Sequence, residues 1–96
     1  MIKYLENEKI EDLLTNDITL VDFYADWCGP CKMLGTVLED IDTNIIKINV
    51  DTHQELAMKF GVMSIPTVII YKNKREVNKF IGFKSKEEII DLLKEL

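Results

Sequence analysis

Residues 18–41 read ITLVDFYADWCGPCKMLGTVLEDI, and they contain the only two cysteines of the chain, Cys28 and Cys31. The first part of this stretch, Ile18 to Tyr24, is rich enough in β-branched and aromatic residues to predict a strand. From Cys31 to Ile41, apolar residues recur at the i, i+3, i+4, i+7 spacing of a helix that packs on a sheet. The cysteines therefore lie where a strand gives way to a helix.

Two cysteines separated by two residues at a helix start are typical of a redox pair. Pro30 supports this placement, because proline is favoured in the first turn, where a backbone N–H has no intrahelical partner. The free N–H groups and the positive end of the helix dipole stabilise a thiolate, most strongly at Cys28, which is nearest to the terminus. Cys31 follows one turn later on the same face. We predict that Cys28 attacks as a thiolate and that Cys31 resolves.

Two other interpretations of the cysteine pair remain open at this point. A structural disulfide across so short a loop would remove only about 2 kcal/mol of unfolded-state entropy and would be a weak staple. A structural zinc site needs further ligands, and the one histidine, His53, lies at a predicted helix start, so a second subunit would have to complete the shell. We expect no metal.

Composition limits the possible classes of function. The 96 residues, 47% of them hydrophobic, suffice for a single domain over residues 1–96 with one modest core. A net charge of −5 without a basic patch argues against nucleic acid as a partner. The first 14 residues hold no uninterrupted apolar stretch, so we expect neither a signal peptide nor a membrane anchor. We therefore expect a cytoplasmic protein, and we expect it to be a monomer. In the cytoplasm a stable disulfide would be unusual, whereas a transient catalytic one is expected.

The remaining apolar patterns predict strands that alternate with helices. Further strands are predicted at Ile2–Leu5, Ile45–Val50, Thr67–Tyr71 and Glu76–Ile81, and further helices around residues 10–14, 52–60 and 85–96. Two capping boxes are predicted, Thr52 with Glu55 and Ser85 with Glu88. A short polar turn joins the last two strands in a hairpin. This order predicts an α/β fold whose mixed sheet is covered by helices on both faces.

Asp22 interrupts the apolar run of its strand and shares a face with Leu20 and Tyr24, so it should point into a packed layer. A buried, unpaired carboxylate costs several kcal/mol, so we expect a compensating partner. Lys47, equally out of place in its strand, is the candidate. Burial should raise the pKa of Asp22 and Lys47 should lower it again, which suits a group that accepts the Cys31 proton near neutral pH. The alternatives are a purely structural ion pair or a carboxylate that reaches solvent.

The whole chain resembles the thioredoxin family. The stretch LVDFYADWCGPCK is nearly the active-site signature of that family, and KINVD and FGVMSIPTVIIYKN match its later landmarks. Together these segments cover the span from Leu20 to Asn73. The resemblance implies the thioredoxin fold, with the order β-α-β-α-β-α-β-β-α, a mixed five-stranded central sheet and four flanking helices.

The resemblance also implies features that the residues alone do not. Pro66 is expected to follow a cis peptide bond, and its loop is expected to face the Cys28 sulfur where substrate backbone docks. The apolar groove of the family corresponds here to Trp27, Gly29, Pro30, Ile65, Pro66 and Gly82. Gly29 and Pro30, between the cysteines, are expected to tune the redox potential.

The function implied by the resemblance is reduction of disulfides in other proteins. The chain is expected to be recharged by a thioredoxin reductase and to bind no cofactor of its own, since it has no Gly-rich nucleotide loop. A glutaredoxin-like enzyme supplied by glutathione is one alternative, although glutaredoxins usually carry Pro-Tyr between the cysteines. The other alternative is a thioredoxin-fold subunit that binds a partner without turnover.

Three positions depart from the family pattern. Thr36, preceded by Gly35, stands in place of a helix-kinking proline, Lys74 in place of a turn glycine, and Tyr24 in place of a common second tryptophan. We expect them to affect helix curvature, turn type and fluorescence, and to leave the sulfur chemistry unchanged.

Overall fold

The computed structural model describes all 96 residues and contains five strands and four helices. The strands are β1 (Ile2–Tyr4), β2 (Ile18–Tyr24), β3 (Asn44–Asn49), β4 (Thr67–Lys72) and β5 (Arg75–Ile81). The helices are α1 (Ile10–Leu13), α2 (Gly29–Glu39), α3 (Gln54–Lys59) and α4 (Lys86–Lys94). The predicted order of elements is confirmed, with most boundaries displaced by one or two residues.

The strands form one sheet in the order β1-β3-β2-β4-β5. Strand β3 pairs in parallel with β1 and with β2, whereas β4 runs antiparallel to β2 and to β5. The sheet is therefore mixed, as predicted. Because β2 is the central strand, the segment that follows it emerges from the middle of the sheet, and this segment carries the cysteines.

Alternation along β2 divides the core into two layers. Val21 and Phe23 point into a cluster that also contains Ile10 of α1 and Ala57 of α3. Leu20 points the other way, into a cluster with residues of α2 and α4, among them Leu34, Leu38 and Ile89. Asp22 and Tyr24 share the face of Leu20, so α2 covers them. No helix has both the length and the apolar composition required to cross a bilayer.

The two predicted capping boxes have opposite outcomes. At α4, Glu88 N–H donates to Ser85 Oγ at 3.1 Å and Ser85 N–H donates to Glu88 Oε1 at 3.0 Å, which confirms the box. At α3 the prediction is wrong, because the helix begins at Gln54 and His53 is the N-cap without a side-chain capping bond. A hydrogen bond between the His53 ring and the carbonyl oxygen of Glu6, at 2.7 Å, ties this helix start to a distant loop.

The β4–β5 hairpin has a two-residue turn with left-handed backbone at both positions, with φ of 54° at Asn73 and 65° at Lys74. This is the backbone of a type I′ turn, which favours glycine at its second position. Lys74 therefore adopts the left-handed conformation without the freedom of glycine.

Candidate active site

The cysteine pair begins α2. Cys28 is the N-cap residue, Pro30 lies in the first turn, and Cys28 and Cys31 form a disulfide with their Cα atoms 5.2 Å apart. The backbone N–H of Cys31 donates to Cys28 Sγ at 3.2 Å. A helix N-terminus with an N–H directed at the sulfur stabilises negative charge on it, so the local environment favours a thiolate at Cys28.

The two cysteines are largely covered in this disulfide form. Cys28 is 5% exposed and Cys31 is 2% exposed, and both pack against Ala25. An attacking Cys28 needs an accessible sulfur, and in the disulfide form little of this residue is exposed. The surrounding rim is open, since Trp27 is 71% exposed and Gly29 and Pro30 are also exposed.

The loop before β4 meets the disulfide. The Ile65–Pro66 peptide bond is cis, as the resemblance implied, and Cys28 Sγ lies 4.0 Å from the carbonyl oxygen of Ile65. Gly82 N–H donates to the carbonyl oxygen of Pro66 at 2.8 Å. These contacts connect Cys28 through Ile65 and Pro66 to Gly82, in a surface where Ile65 and Gly82 are partly exposed and Pro66 is buried.

Trp27 borders this surface through an apolar depression of about 450 Å³. Its lining includes Trp27, Val50, Val62, Met63 and Ile65. The indole N–H of Trp27 donates to Asp51 Oδ2 at 2.9 Å, which fixes the ring while leaving it exposed. Sequence reasoning missed Met63 and Asp51, because neither interrupts a hydrophobic pattern and only the folded chain brings them beside Trp27.

Asp22 and Lys47 occupy opposed positions on β2 and β3, as the sequence predicted. Asp22 is 0% exposed and Lys47 is 9% exposed, and Asp22 Oδ2 lies 3.5 Å from Lys47 Nζ. No protein group makes a well-aligned hydrogen bond to either carboxylate oxygen. The two groups therefore form a buried ion pair at a separation that leaves both oxygens able to accept a proton.

Burial raises the pKa of Asp22 to about 6, and the nearby Lys47 charge limits the increase. The predicted direction of this shift is confirmed. Desolvation disfavours the charged carboxylate more than the ammonium favours it. A carboxyl group that titrates this close to neutral pH can both take up and release a proton under ordinary conditions.

A second depression, of about 430 Å³, lies between α2 and the strand ends. Cys31 and Lys47 both line it, together with Tyr24, Gly35 and Thr36. The resolving cysteine and the lysine of the ion pair thus adjoin the same opening to solvent, whereas Asp22 lies behind Lys47 and does not line it. Water in such an opening can carry a proton between groups that do not touch.

No group of three or more His, Cys, Asp and Glu side chains is placed to hold a metal ion. His53 instead faces backbone oxygens, those of Glu6 and Asn49. The largest depression, of about 700 Å³, follows the polar start of α3 and contains neither cysteine.

The sequence model of the thioredoxin family matches residues 2–95. This chain belongs to the thioredoxin family. A curated thioredoxin from Chlamydia caviae is 39% identical over 97% of this chain and 96% of its own length. A thioredoxin from Bacillus subtilis is 48% identical over 79% of each chain. The solved structure of a mutant thioredoxin from Halobacterium salinarum superposes with a TM-score of 0.87 at 35% identity, covering 98% of this chain and 88% of that one.

Membership of the family gives the fold and the chemistry of the cysteine pair. Thioredoxins are thiol-disulfide oxidoreductases, and the Cys28–Cys31 pair occupies the active-site position of the family. The thioredoxin fold predicted from the resemblance is confirmed by the structural match.

Proposed function

We propose that this member of the thioredoxin family reduces exposed disulfides of other proteins, with Cys28 as the attacking thiolate and Cys31 as the resolving thiol. The observation that carries the proposal is the asymmetry of the pair. Cys28 caps the helix and accepts the Cys31 N–H at its sulfur, whereas Cys31 is more deeply buried and adjoins the opening shared with Lys47. Each environment suits one of the two roles.

The first step is docking and attack. Substrate backbone lies along Trp27, Ile65, Pro66 and Gly82, which brings one substrate sulfur in line with Cys28. The Cys28 thiolate forms a bond to that sulfur, the substrate disulfide breaks, and the other substrate sulfur leaves as a thiolate. The product is a mixed disulfide between Cys28 and the substrate.

The second step is resolution. Cys31 transfers its proton to Asp22, directly or through water, and the resulting thiolate attacks Cys28 Sγ. The bond between Cys28 and the substrate breaks, the substrate leaves with two thiols after proton uptake, and the Cys28–Cys31 disulfide remains. Lys47 keeps the carboxylate ionised often enough to accept the proton.

The disulfide is reopened by a thioredoxin reductase, which supplies two electrons per cycle and completes the reaction. The cytoplasm is the proposed compartment, since cytosolic reductants keep such a pair reduced and ready for the next substrate. The Gly29–Pro30 insert fits the reducing end of the family of disulfide oxidoreductases. The chain acts as a monomer and needs no cofactor of its own.

Reduction of insulin disulfides tests the overall proposal. The assay compares NADPH with thioredoxin reductase against glutathione with glutathione reductase, and we expect turnover with the first pair. Turnover with glutathione alone would assign the chain to a glutaredoxin-like activity. No turnover with either, when a thioredoxin of known activity works in the same assay, would leave a binding role.

Trapping distinguishes the two cysteines. Cys31→Ser should accumulate a covalent complex with a disulfide substrate, visible on a non-reducing gel, because the second step is blocked. Cys28→Ser should neither reduce nor trap. If Cys28→Ser traps and Cys31→Ser does not, the assigned roles are reversed.

A further inference from the structure

Lys47 is enclosed by more than its carboxylate partner. Its ammonium lies 4.7 Å from the centre of the Tyr24 ring and 5.7 Å from the centre of the Tyr4 ring. The two rings are almost perpendicular, with their centres 6.3 Å apart. Both ammonium distances are within the range in which a cation is attracted to an aromatic face.

Strand pairing brings these side chains together. Tyr4, Lys47 and Asp22 are opposed to one another across β1, β3 and β2. Tyr24 follows Asp22 by two residues and therefore lies on the same face of the sheet. The short edge strand β1 thus contributes an aromatic ring to the surroundings of a buried ion pair.

Helix α2 closes the enclosure at a glycine. A Cβ atom at Gly35 would lie 3.2 Å from Lys47 Nζ, closer than an ordinary van der Waals contact. The missing side chain therefore leaves room for the ammonium between the helix and the sheet. Tyr24 is one of the departures from the family pattern and Gly35 directly precedes another, Thr36, and the fold brings Gly35 and Tyr24 together at Lys47.

We propose that Tyr4, Tyr24 and Gly35 form a lysine seat that holds the Lys47 ammonium against the Asp22 carboxylate, and that the two tyrosines are positioning residues for the proton transfer at Cys31. This inference rests on the proposed function, because the seat affects turnover only if Asp22 accepts the Cys31 proton. The tyrosines act through Lys47. Their ring faces offset part of the free energy of burying the ammonium and keep it 3.5 Å from Asp22 Oδ2.

Other polar and charged groups face the seat. They are Asp26 in the loop after β2, then Cys31, Lys32, Thr36 and Glu39 in α2, and Asn49 in β3. Burial, followed by the charge of Asp26, raises the pKa of Tyr24. The Tyr24 ring therefore remains a neutral phenol over the range in which Asp22 titrates, and the seat does not change charge together with the carboxyl group.

Titration of the Asp22 carboxyl carbon by ¹³C NMR, in the disulfide form, tests the seat without measuring activity. Tyr24→Leu should raise the pKa of Asp22 by about half a unit, since a less restrained ammonium stabilises the carboxylate less. Tyr24→Phe should leave it unchanged, because the aromatic face remains. Tyr71→Leu removes a tyrosine that packs in the other core layer and should also have no effect. If the pKa of Asp22 is the same in the wild-type protein, in Tyr24→Leu and in Tyr24→Phe, the ring has no role and the proposal is overturned.

A double-mutant cycle shows whether Tyr24 acts through the lysine. In a Lys47→Met background, Tyr24→Leu should cause no further change in the pKa of Asp22. The same half-unit shift in that background would mean that the ring acts on Asp22 without the lysine, and would overturn the seat. If Tyr24→Leu fails to fold, Tyr4→Leu carries the same cycle, because Tyr4 is 55% exposed on an edge strand. Its shift should have the same sign and be smaller.

The pH dependence of mixed-disulfide resolution separates this inference from the proposed function. The midpoint of the rate profile in Tyr24→Leu should move to higher pH by the same half unit, and Tyr24→Phe should restore the wild-type midpoint. A shifted NMR titration with an unmoved rate profile would support the seat and contradict the proposed use of Asp22. An unmoved titration contradicts the seat whatever the rate does.

Discussion

Two lysine–carboxylate pairs in this protein have the same components and opposite properties. Lys3 Nζ and Glu8 Oε2 are 2.7 Å apart on the surface, whereas Lys47 Nζ and Asp22 Oδ2 are 3.5 Å apart in the interior. The hydrogen bond from Lys3 lowers the pKa of Glu8 to about 2. Burial raises the pKa of Asp22 to about 6. The shorter ion pair is a surface contact with a strongly acidic carboxyl, and the longer one is buried with a carboxyl that titrates near neutral pH.

The difference lies in the solvent around each pair. Water already stabilises both charges of the surface pair, so the contact contributes little to stability and is screened by salt. The interior removes that solvation from Asp22, and one ammonium at 3.5 Å replaces only part of it. The raised pKa of Asp22 therefore comes with a loss of folding stability, a combination that is typical of functional sites.

The largest expected effect separates the pairs by rate. Asp22→Asn should slow resolution of the mixed disulfide about 100-fold at pH 7, because in the proposed mechanism Asp22 accepts the Cys31 proton. Glu8→Gln makes the same chemical change in the other pair and should leave the rate unchanged. Stopped-flow measurement of substrate release from a preformed mixed disulfide gives both rates. An unchanged rate in Asp22→Asn would remove Asp22 from the mechanism.

The second effect is on stability. The folded carboxyl of Asp22 holds its proton more tightly than the unfolded one, with a pKa of about 6 against 3.8, so stability falls as pH rises from about 4 to about 6. Asp22→Asn removes this loss and should raise the free energy of unfolding at pH 7 by up to about 3 kcal/mol, less the cost of burying an amide. Lys47 is not left stranded in the variant, because it retains two ring faces and borders an opening.

Urea unfolding at pH 4 and at pH 7 measures this effect. Asp26→Asn is the matched control, because Asp26 is exposed in the same segment, and it should leave both values almost unchanged. Lower stability of Asp22→Asn at pH 7 would show that the ion pair stabilises the fold, as a purely structural role requires.

The Asp22–Lys47 pair could be predicted from sequence because each charge interrupts a strand that is otherwise apolar. Parallel pairing of neighbouring strands is then enough to bring the two together. The box at Ser85 and Glu88 was also predictable, because it depends on residues three positions apart. The same spacing at Thr52 and Glu55 gave a wrong prediction of a capping box. His53 is the N-cap there, and its contact with a distant loop determines where that helix begins.

The lysine seat could not be predicted, because it depends on strand order. Tyr4 lies beside Lys47 only if β1 is the parallel neighbour of β3, and the residues of β1 do not specify that neighbour. Gly35 was considered only together with Thr36, as a change in helix curvature, because its proximity to Lys47 Nζ exists only after α2 packs on the sheet. The burial of Cys28 could not be predicted for a similar reason, because the covering residues come from separate segments.

The third effect tests what the lysine contributes. Lys47→Met should destabilise the protein at pH 7, because it leaves the buried Asp22 without its partner charge. The loss should be only about 1 to 2 kcal/mol, since the unpaired carboxyl takes up a proton rather than remain charged. At pH 5 the loss should be smaller, since the carboxyl is already mostly protonated there. Lys3→Met is the control and should show no such dependence on pH between 5 and 7. Equal losses at both pH values would mean that Lys47 contributes packing and not charge.

The smallest effect concerns the surface pair. Glu8→Gln should lower the melting temperature slightly in low salt and not at all in 1 M salt, because both side chains are partly solvated and their attraction is screened. Because the pKa of Glu8 is lowered to about 2, the protein should lose stability as the pH falls from the usual pKa range of a glutamate to about 2. Solvent around the exposed pair reduces that loss. The gain in Asp22→Asn should persist in 1 M salt, since buried charges are screened much less. If the loss in Glu8→Gln also persisted in salt, its cause would be the weaker hydrogen bond that an amide oxygen, in place of the carboxylate Oε1, accepts from the backbone N–H of Glu6, rather than the ion pair.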